Sequence, residues 1–254
     1  MRAAEHQAQV FRRERMILTP FLSSDVIPAL IDKFEKLLKI PDSEKKKLEL
    51  DLWGKNPRDP DEGLRRGGSR GKITQKRRPG DGKDPKWRFH YTPALRDNKV
   101  VKALYGKYHD LDDLLSISHE LFVRAEEKVI EITEGLRETF GLPPVIVDTN
   151  LSKLRLLRYD PPLFRSQIVA QGHFDRDSNT LHIWESRPGL RMTKARRVVV
   201  IPKNHALYFP GDKMEIATGG EVASLWHEVV DEPTEAEMAD PRYSIVYFQH
   251  FLLS

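Results

Sequence analysis

Eight short apolar runs follow one another between Leu154 and Phe251, at intervals of roughly ten residues. Most are rich in Val, Ile, Leu or aromatic residues, and Pro, Gly, Asn and Asp separate them. Many short strands with turn residues between them are typical of an antiparallel sandwich or jelly roll. The runs are Leu154–Tyr159, Gln167–His173, Thr180–Glu185, Gly189–Met192, Val198–Ile201, Ala206–Phe209, Val222–Val230 and Tyr243–Phe251.

Helical patterns lie ahead of these runs. Val26–Lys39 carries apolar residues every three or four positions, which predicts an amphipathic helix. Leu111–Phe140 is the longest such pattern, and Gly141 just beyond it suits a helix C-cap. Ser43–Leu50 predicts a shorter, charged helix, and Trp87–Tyr91 predicts a strand.

The predicted fold class is therefore α+β, a double-stranded β-helix (jelly roll) core with an N-terminal and flanking helical layer. We expect residues 1–110 to form a helical and basic-loop region, and residues 111–254 to form the long helix and the jelly-roll core. The chain has 254 residues, of which 39% are hydrophobic, so one integrated domain with a full core is expected.

The chain contains no cysteine, which excludes disulfides, thiolate metal sites and cysteine nucleophiles. His, Asp and Glu are then the available metal ligands. Residues 1–15 are polar and charged, without an apolar run of signal-peptide length, and no segment reaches the length of a membrane span. We therefore expect a cytoplasmic protein without membrane contact.

Residues 65–88 carry most of the local positive charge, although the net charge is only +4. A solvated loop is the favoured interpretation. A lid that attracts an acidic substrate is the second, and contact with nucleic-acid phosphates is the least favoured. Only Trp87, Phe89 and Tyr91 supply stacking groups nearby. The basic residues are Arg65, Arg66, Arg70, Lys72, Lys76, Arg77, Arg78, Lys83, Lys86 and Arg88.

A metal-binding pattern combines His173, Asp175 and a distant His227. Residues two apart in a strand share a face, so His173 and Asp175 can reach one ion. Two imidazoles and a carboxylate that leave open positions form the ligand set of non-haem Fe(II) oxygenases. A lone His-X-Asp is a weak signal, since most such tripeptides are surface or hydrogen-bonded pairs. Arg242, with Ser244 two residues on, can grip a carboxylate beside the metal.

The flanking sequence strengthens this interpretation. The stretch from Leu154 to Phe251 resembles the isopenicillin N synthase-like branch of the Fe(II)/2-oxoglutarate-dependent dioxygenases, with motifs in the same order over about 100 residues. That order is more specific than any single motif. The matching segments are Tyr159–Pro162, His173–Asp175, Thr180–Trp184, Gly189–Met192, Pro210–Asp212, Thr218–Gly220, Ser224–Val229 and Arg242–Ser244.

The resemblance implies that His173, Asp175 and His227 are catalytic iron ligands, with 2-oxoglutarate as co-substrate and O2 as oxidant. It implies hydroxylation of a small molecule through an iron-oxo intermediate, with release of succinate and CO2. In the related halogenases, Gly or Ala replaces the carboxylate ligand, so Asp175 argues against halogenation.

The resemblance also assigns the co-substrate site. It implies that Arg242 and Ser244 bind the distal carboxylate of 2-oxoglutarate. Arg158 or Tyr159 could help to hold the oxo-acid, although a structural role is favoured for each.

Other functions are compatible with parts of the pattern. An iron oxidase of the same fold would share the Arg-X-Ser motif without using 2-oxoglutarate, and a non-catalytic jelly-roll module would keep only the fold. Zinc hydrolysis would leave Arg242 and Ser244 without a role. The substrate is a small molecule, acidic if the basic loop attracts it. His90 and Tyr91 are substrate-side candidates, with packing favoured for both. No obligate protein partner is indicated.

Overall fold

The computed structural model describes residues 11, 13–50, 62–66, 86–140, 144, 146–162, 164–192 and 197–252. These residues form helices and three sheets in which every strand pair is antiparallel. The predicted combination of helices with antiparallel sheets is thereby confirmed. No helix in this part of the chain is both long and apolar enough to cross a membrane.

Two of the helices match the strongest helical patterns of the sequence to within two residues. The predicted helix at Ser43–Leu50 is wrong at its end, because Glu49 and Leu50 pair as a strand with Gly63 and Glu62. The helices are α1 (Ile27–Leu38), α2 (Asp42–Lys47), α3 (Lys99–Tyr105), α4 (His109–Phe140) and α5 (Asp212–Ala217), with a 3₁₀ helix at Pro93–Asp97.

The strands follow the predicted apolar runs, with two corrections. The run Val222–Val230 forms a strand only from His227, and the run Val198–Ile201 leaves its strand after Val198. The strands are β1 (Ile17–Pro20), β2 (Glu49–Leu50), β3 (Glu62–Arg66), β4 (Lys86–Tyr91), β5 (Ile146–Val147), β6 (Lys153–Tyr159), β7 (Gln167–His173), β8 (Asn179–Glu185), β9 (Leu190–Met192), β10 (Arg197–Val198), β11 (His205–Pro210), β12 (His227–Asp231), β13 (Arg242–Gln249) and β14 (Phe251–Leu252).

The major sheet has eight strands in the order β1-β11-β8-β13-β6-β4-β3-β2, and the minor sheet has four in the order β10-β9-β12-β7. Strands β5 and β14 form a separate pair. Strand β3 pairs with β4, so Arg65 and Arg66, at the start of the predicted basic loop, lie in a strand instead. Arg88 is a buried residue of β4 and not a loop residue, whereas residues 67–85 lie outside the described part of the chain.

Each face of the major sheet contributes to a different apolar cluster. On the outer face, Leu154 and Leu156 of β6 pack with the apolar stripe of α4. Phe122 of α4 stacks edge-on against Tyr247, with ring centroids 5.2 Å apart. On the inner face, Leu157 joins residues of the minor sheet in a second cluster. Because alternate strand residues point to opposite faces, β6 serves both clusters.

A buried polar network ties α4 to the major sheet. The Asn179 side chain, which is fully buried, donates hydrogen bonds to Thr133 Oγ1 of α4 at 3.2 Å and to Gln249 Oε1 of β13 at 2.7 Å. It accepts one from the Tyr208 hydroxyl at 2.6 Å. One amide therefore joins a helix and three strands.

Replacement of Asn179 by Ala should destabilise the protein, because the three partner groups would stay buried without their hydrogen bonds. We expect a loss of roughly 2–3 kcal/mol in the free energy of unfolding. Urea titration followed by circular dichroism measures it. The exposed Asn150→Ala is the matched control, expected to change stability by less than about 0.5 kcal/mol. Equal stability of the two variants would contradict the role of the network.

Candidate active site

Three predicted ligands converge at one end of the minor sheet. His173 is the last residue of β7, and His227 is the first residue of β12, directly opposite it in the antiparallel pair. Asp175 follows two residues after His173, just beyond the strand. One ligand atom from each residue lies within 4.8 Å of the other two. The predicted convergence is confirmed.

The ligand atoms surround a common point. His173 Nε2 lies 3.4 Å from Asp175 Oδ1, and His227 Nε2 lies 3.7 Å from Asp175 Oδ2. The two imidazole centroids are 4.4 Å apart. Ligands bound at about 2.1 Å to one ion, at right angles, stand about 3 Å apart. The three groups are therefore slightly wider than a closed coordination shell and can contract onto a metal ion.

Hydrogen bonds orient all three groups. His173 Nδ1 lies 2.6 Å from the Gln171 carbonyl oxygen, and His227 Nδ1 lies 3.2 Å from the Leu225 carbonyl oxygen. A carbonyl only accepts, so each Nδ1 donates and each Nε2 keeps its lone pair for a metal. Thr180 Oγ1 donates to Asp175 Oδ2 at 2.7 Å and fixes the carboxylate.

The pKa shifts of Asp175 and His227, although not that of His173, favour the forms that bind a cation. Burial alone would raise the pKa of Asp175, but the charges of His227 and His173 and the hydrogen bonds from His173 and Thr180 hold that pKa well below its usual range. Burial lowers the pKa of His227, against the opposing effect of Asp175. Burial also pulls the pKa of His173 down, but the Asp175 carboxylate outweighs it and leaves the pKa raised. An ionised carboxylate and a neutral imidazole are the forms that ligate metals.

A second polar group lies on the inner face of the major sheet. Arg242, the first residue of β13, is completely buried, and its Nη2 donates to Glu185 Oε2 of β8. The Arg242 Nε and Nη1 atoms are buried without a hydrogen-bond partner. A buried charged donor without an acceptor costs about 1–3 kcal/mol or more. These donors are therefore a ready binding site for an acceptor such as a carboxylate.

The other predicted co-substrate residues divide between the two faces. Tyr159 pairs directly opposite Arg242, with the guanidinium carbon 5.6 Å from its ring centroid, and Ser244 shares the inner face. Arg158 faces the opposite way, and its Nε lies 2.7 Å from Glu35 Oε1 of α1. The structure therefore brings Tyr159, Ser244 and Arg242 together and leaves Arg158 outside the group.

His182 lies beside this group on the inner face of the major sheet. Its Nε2 lies 3.5 Å from Ser244 Oγ and 3.9 Å from Glu185 Oε2. Burial, and then the positive charge of Arg242, lower the pKa of His182 to about 3. A neutral imidazole beside Ser244 adds polarity without adding charge, which suits a supporting position rather than a ligand position.

Sequence reasoning missed Glu185 and Gly189. A carboxylate at the end of the apolar run Thr180–Glu185 was the available signal for the first. A Cβ atom on Gly189 would stand 2.3 Å from the Val230 carbonyl oxygen and 3.2 Å from Arg242 Nη2. The absence of a side chain there lets the Arg242 guanidinium and the minor sheet approach each other.

Of the two substrate-side candidates, only His90 faces the interior between the sheets. Its Nε2 accepts a hydrogen bond from Arg155 Nε at 2.6 Å. Tyr91 lies on the outer face, where its hydroxyl is 3.0 Å from His119 Nδ1 and its ring packs against Phe122. Tyr91 is thus a packing residue.

No family model matches this chain, and no curated protein sequence matches it. Several solved structures, however, are similar to it. A full-length Neurospora crassa protein in complex with 2-oxoglutarate (alpha-KG) aligns with a TM-score of 0.74 and 22% identity, over 98% of this chain and 79% of that one. A Caulobacter crescentus protein assigned to the 2OG-Fe(II) oxygenase family aligns with a TM-score of 0.70 and 21% identity, over 98% and 82%.

A third match is the Arabidopsis thaliana dioxygenase for auxin oxidation 1 in complex with 2-oxoglutarate. It aligns with a TM-score of 0.69 and 17% identity, over 98% of this chain and 89% of that one. These alignments span nearly the whole chain, so it has the fold of the 2-oxoglutarate- and Fe(II)-dependent oxygenases. Similar folds at this level of identity do not by themselves transfer an activity.

The buried Glu185 should make stability depend on pH in the metal-free protein. Burial raises its pKa to about 7 against the opposing charge of Arg242, whereas the unfolded chain releases this proton near 4.5. Between these values the folded state binds more protons, so the free energy of unfolding falls as pH rises. The loss is complete above pH 7 and amounts to roughly 3 kcal/mol.

Urea unfolding of wild type and Glu185→Gln at pH 4.5, 6 and 7.5 measures this effect. Gln keeps the shape but does not ionise, so the stability of wild type relative to the variant should decline across this range. A constant difference between the two proteins would contradict the raised pKa.

Proposed function

We propose that this chain is a non-haem Fe(II)- and 2-oxoglutarate-dependent oxygenase that hydroxylates a small molecule and releases succinate and CO2. One observation carries the proposal. The chain combines a His173–Asp175–His227 ligand set with a completely buried Arg242 whose Nε and Nη1 atoms have no hydrogen-bond partner. A metal site alone fits many proteins, but a metal site with a buried carboxylate-binding arginine fits an oxo-acid co-substrate.

We infer that the major and minor sheets together form the double-stranded β-helix, or jelly roll, and that the chain is one integrated domain. Strands β1 and β4 belong to the N-terminal region 1–110, yet they pair with β11 and β6 of the region 111–254. Shared sheets of this kind support a single folding unit. The cytoplasmic location stays a prediction.

The ligand set fits Fe(II). Two imidazole nitrogens and one carboxylate, without thiolate, are the donors of non-haem iron oxygenases and leave coordination positions for other ligands. Bound there, Fe(II) would supply the activation of O2. The chain's own contribution is orientation: backbone carbonyls turn both Nε2 atoms inward, and Thr180 holds Asp175. Because Asp175 fills the carboxylate position, hydroxylation is favoured over halogenation.

The oxo-acid fits the second group. In this proposal, the free N–H donors of Arg242 and the hydroxyl of Ser244 bind the distal carboxylate of 2-oxoglutarate. The Tyr159 ring packs beside the Arg242 guanidinium, and Glu185 accepts a hydrogen bond from its Nη2 atom. Neutral His182 avoids adding a charge between the two sites. Arg242 is thus fixed before the co-substrate arrives, which lowers the entropy lost on binding.

The metal site is tested by His173→Ala and Asp175→Ala. Each variant removes one of three ligands, so we expect affinity for Mn(II), used as an oxygen-stable probe, to fall by about 100-fold or more. Electron paramagnetic resonance of free Mn(II) measures binding. His205→Ala is the matched control, since His205 lies outside the triad with its Nδ1 3.1 Å from the Lys203 carbonyl oxygen. Unchanged affinity in both triad variants would refute the assignment.

The co-substrate site is tested by Arg242→Ala. Two charge-assisted hydrogen bonds are lost, so the KM for 2-oxoglutarate should rise by about 100-fold. Succinate formed and O2 consumed by the Fe(II)-loaded enzyme measure it. Arg158→Ala should leave this KM within about twofold, because Arg158 lies on the outer face of β6 beside Glu35. O2 consumption that does not depend on 2-oxoglutarate would refute the proposed function.

A further inference from the structure

A second arginine faces the space between the two sheets. Arg155 of β6 lies directly opposite Val246 of β13, which is itself opposite His182 of β8. It therefore shares the inner face with His182, two strands away, at about 10 Å between backbones. Unlike Arg242, its side chain is only partly buried.

Two neighbours hold the Arg155 guanidinium in place. Its Nε donates to His90 Nε2 at 2.6 Å, and His90 is completely buried. Its guanidinium carbon lies 4.3 Å from the centroid of the Phe248 ring, which is 4% exposed. One hydrogen bond and one stacked ring fix the plane of the group, while the two terminal nitrogens remain available.

Arg155 has no counter-ion within the described residues. The contacts that the structure gives this side chain are the His90 hydrogen bond and the Phe248 ring. A half-buried charge without a carboxylate partner is unfavourable in a folded protein. The two free nitrogens form a planar fork that matches a carboxylate in bidentate geometry.

Arg155 also lies close to the triad. Phe248, whose ring contacts its guanidinium, pairs directly with Thr180, and Thr180 Oγ1 donates to the ligand Asp175 at 2.7 Å. Along β13, Arg242 precedes Val246 and Phe248, which flank Arg155. The two arginines therefore lie at different positions along the inner face, and Arg155 is the more accessible of them.

We propose that Arg155 is a substrate-binding residue, which takes the carboxylate of a small organic acid and presents it beside the triad. His90 is its positioning residue, and Phe248 forms the wall on which a planar part of the acid can lie. The inference rests on the proposed function for the identity of this ligand as substrate. It gives that function a substrate class: carboxylic acids rather than neutral molecules.

The test uses phenylacetate as an acidic probe and phenylacetamide as its neutral counterpart. Each is titrated calorimetrically into the full chain loaded with Mn(II) and 2-oxoglutarate. We expect wild type to bind phenylacetate roughly tenfold or more tightly than phenylacetamide, because a charge-assisted bidentate pair is lost with the amide. Arg155→Gln should abolish this preference, and Arg155→Lys should keep part of it.

Arg158→Gln is the matched control, since Arg158 lies on the same strand but on its outer face. It should retain the preference for the acid. Equal affinity for acid and amide, no phenylacetate binding to wild type, or an unchanged preference in Arg155→Gln would overturn the proposal. Thermal melts of each variant separate loss of binding from loss of folding, and Arg155→Lys provides the second variant if Arg155→Gln does not fold.

A repeat without metal and oxo-acid separates this inference from the proposed function. If Mn(II) and 2-oxoglutarate fail to bind but Arg155→Gln still weakens phenylacetate binding, the acid site stands and the oxygenase assignment falls. If both bind while Arg155→Gln changes nothing, the oxygenase assignment stands and the acid site falls.

Discussion

The pairing of β12 with β7 controls the site, because it sets His227 directly opposite His173. Side chains alternate between faces along a strand, so a slip of one residue would turn His227 away from the triad. Gly172 helps to keep this register: a Cβ atom there would stand 1.9 Å from the Trp226 ring. The ring of Trp226, which precedes the ligand His227, therefore lies against the backbone of Gly172, which precedes the ligand His173. The pairing is irregular immediately after His227, with register shifts between His227 and Val229 and between Val229 and Val230, so the ligand pair lies next to a bulge.

The two arginines on the inner face of the major sheet differ in how deeply they are buried. Arg242 is completely buried and is paired with Glu185, whereas Arg155 is only partly buried and has no carboxylate partner in the described chain. A buried ion pair gains little stability from its own attraction, because both groups lose their hydration. Its value here is geometric, since Glu185 fixes one edge of the guanidinium while two N–H donors stay free. The region around the site therefore keeps donors that the fold itself does not satisfy, which is the arrangement expected where a ligand completes the structure.

The sequence predicted the elements whose signals are local. The apolar stripe of α4 and the runs that became β6 and β7 were recognisable from periodicity, and the triad from its spacing and its collinear neighbours. The sequence did not predict which face of β6 points between the two sheets. Leu156 and Leu157 are consecutive and both buried, one towards each face, so the pattern does not reveal which face is the interior one. For that reason Arg158 and Tyr159 could not be separated as co-substrate residues. Arg155 had no local signal, because its role depends on His90, 65 residues away in sequence.

The inner face of β13 carries residues on which both the proposed co-substrate site and the proposed acid site depend. Its inward residues follow in the order Arg242, Ser244, Val246 and Phe248, and the last is paired with Thr180, which holds Asp175. Six residues of antiparallel strand span about 20 Å, so the deep arginine and the metal end are separated by a few small side chains. Ser244 and Val246 lie between them on this face, and Arg155 lies opposite Val246 on the neighbouring strand. Arg242 and Arg155 lie at different positions along this face, because Arg242 is the first residue of β13 and Arg155 lies opposite Val246, four residues further on. In the proposed assignment, an acid at Arg155 and the oxo-acid at Arg242 would therefore occupy different positions along this face.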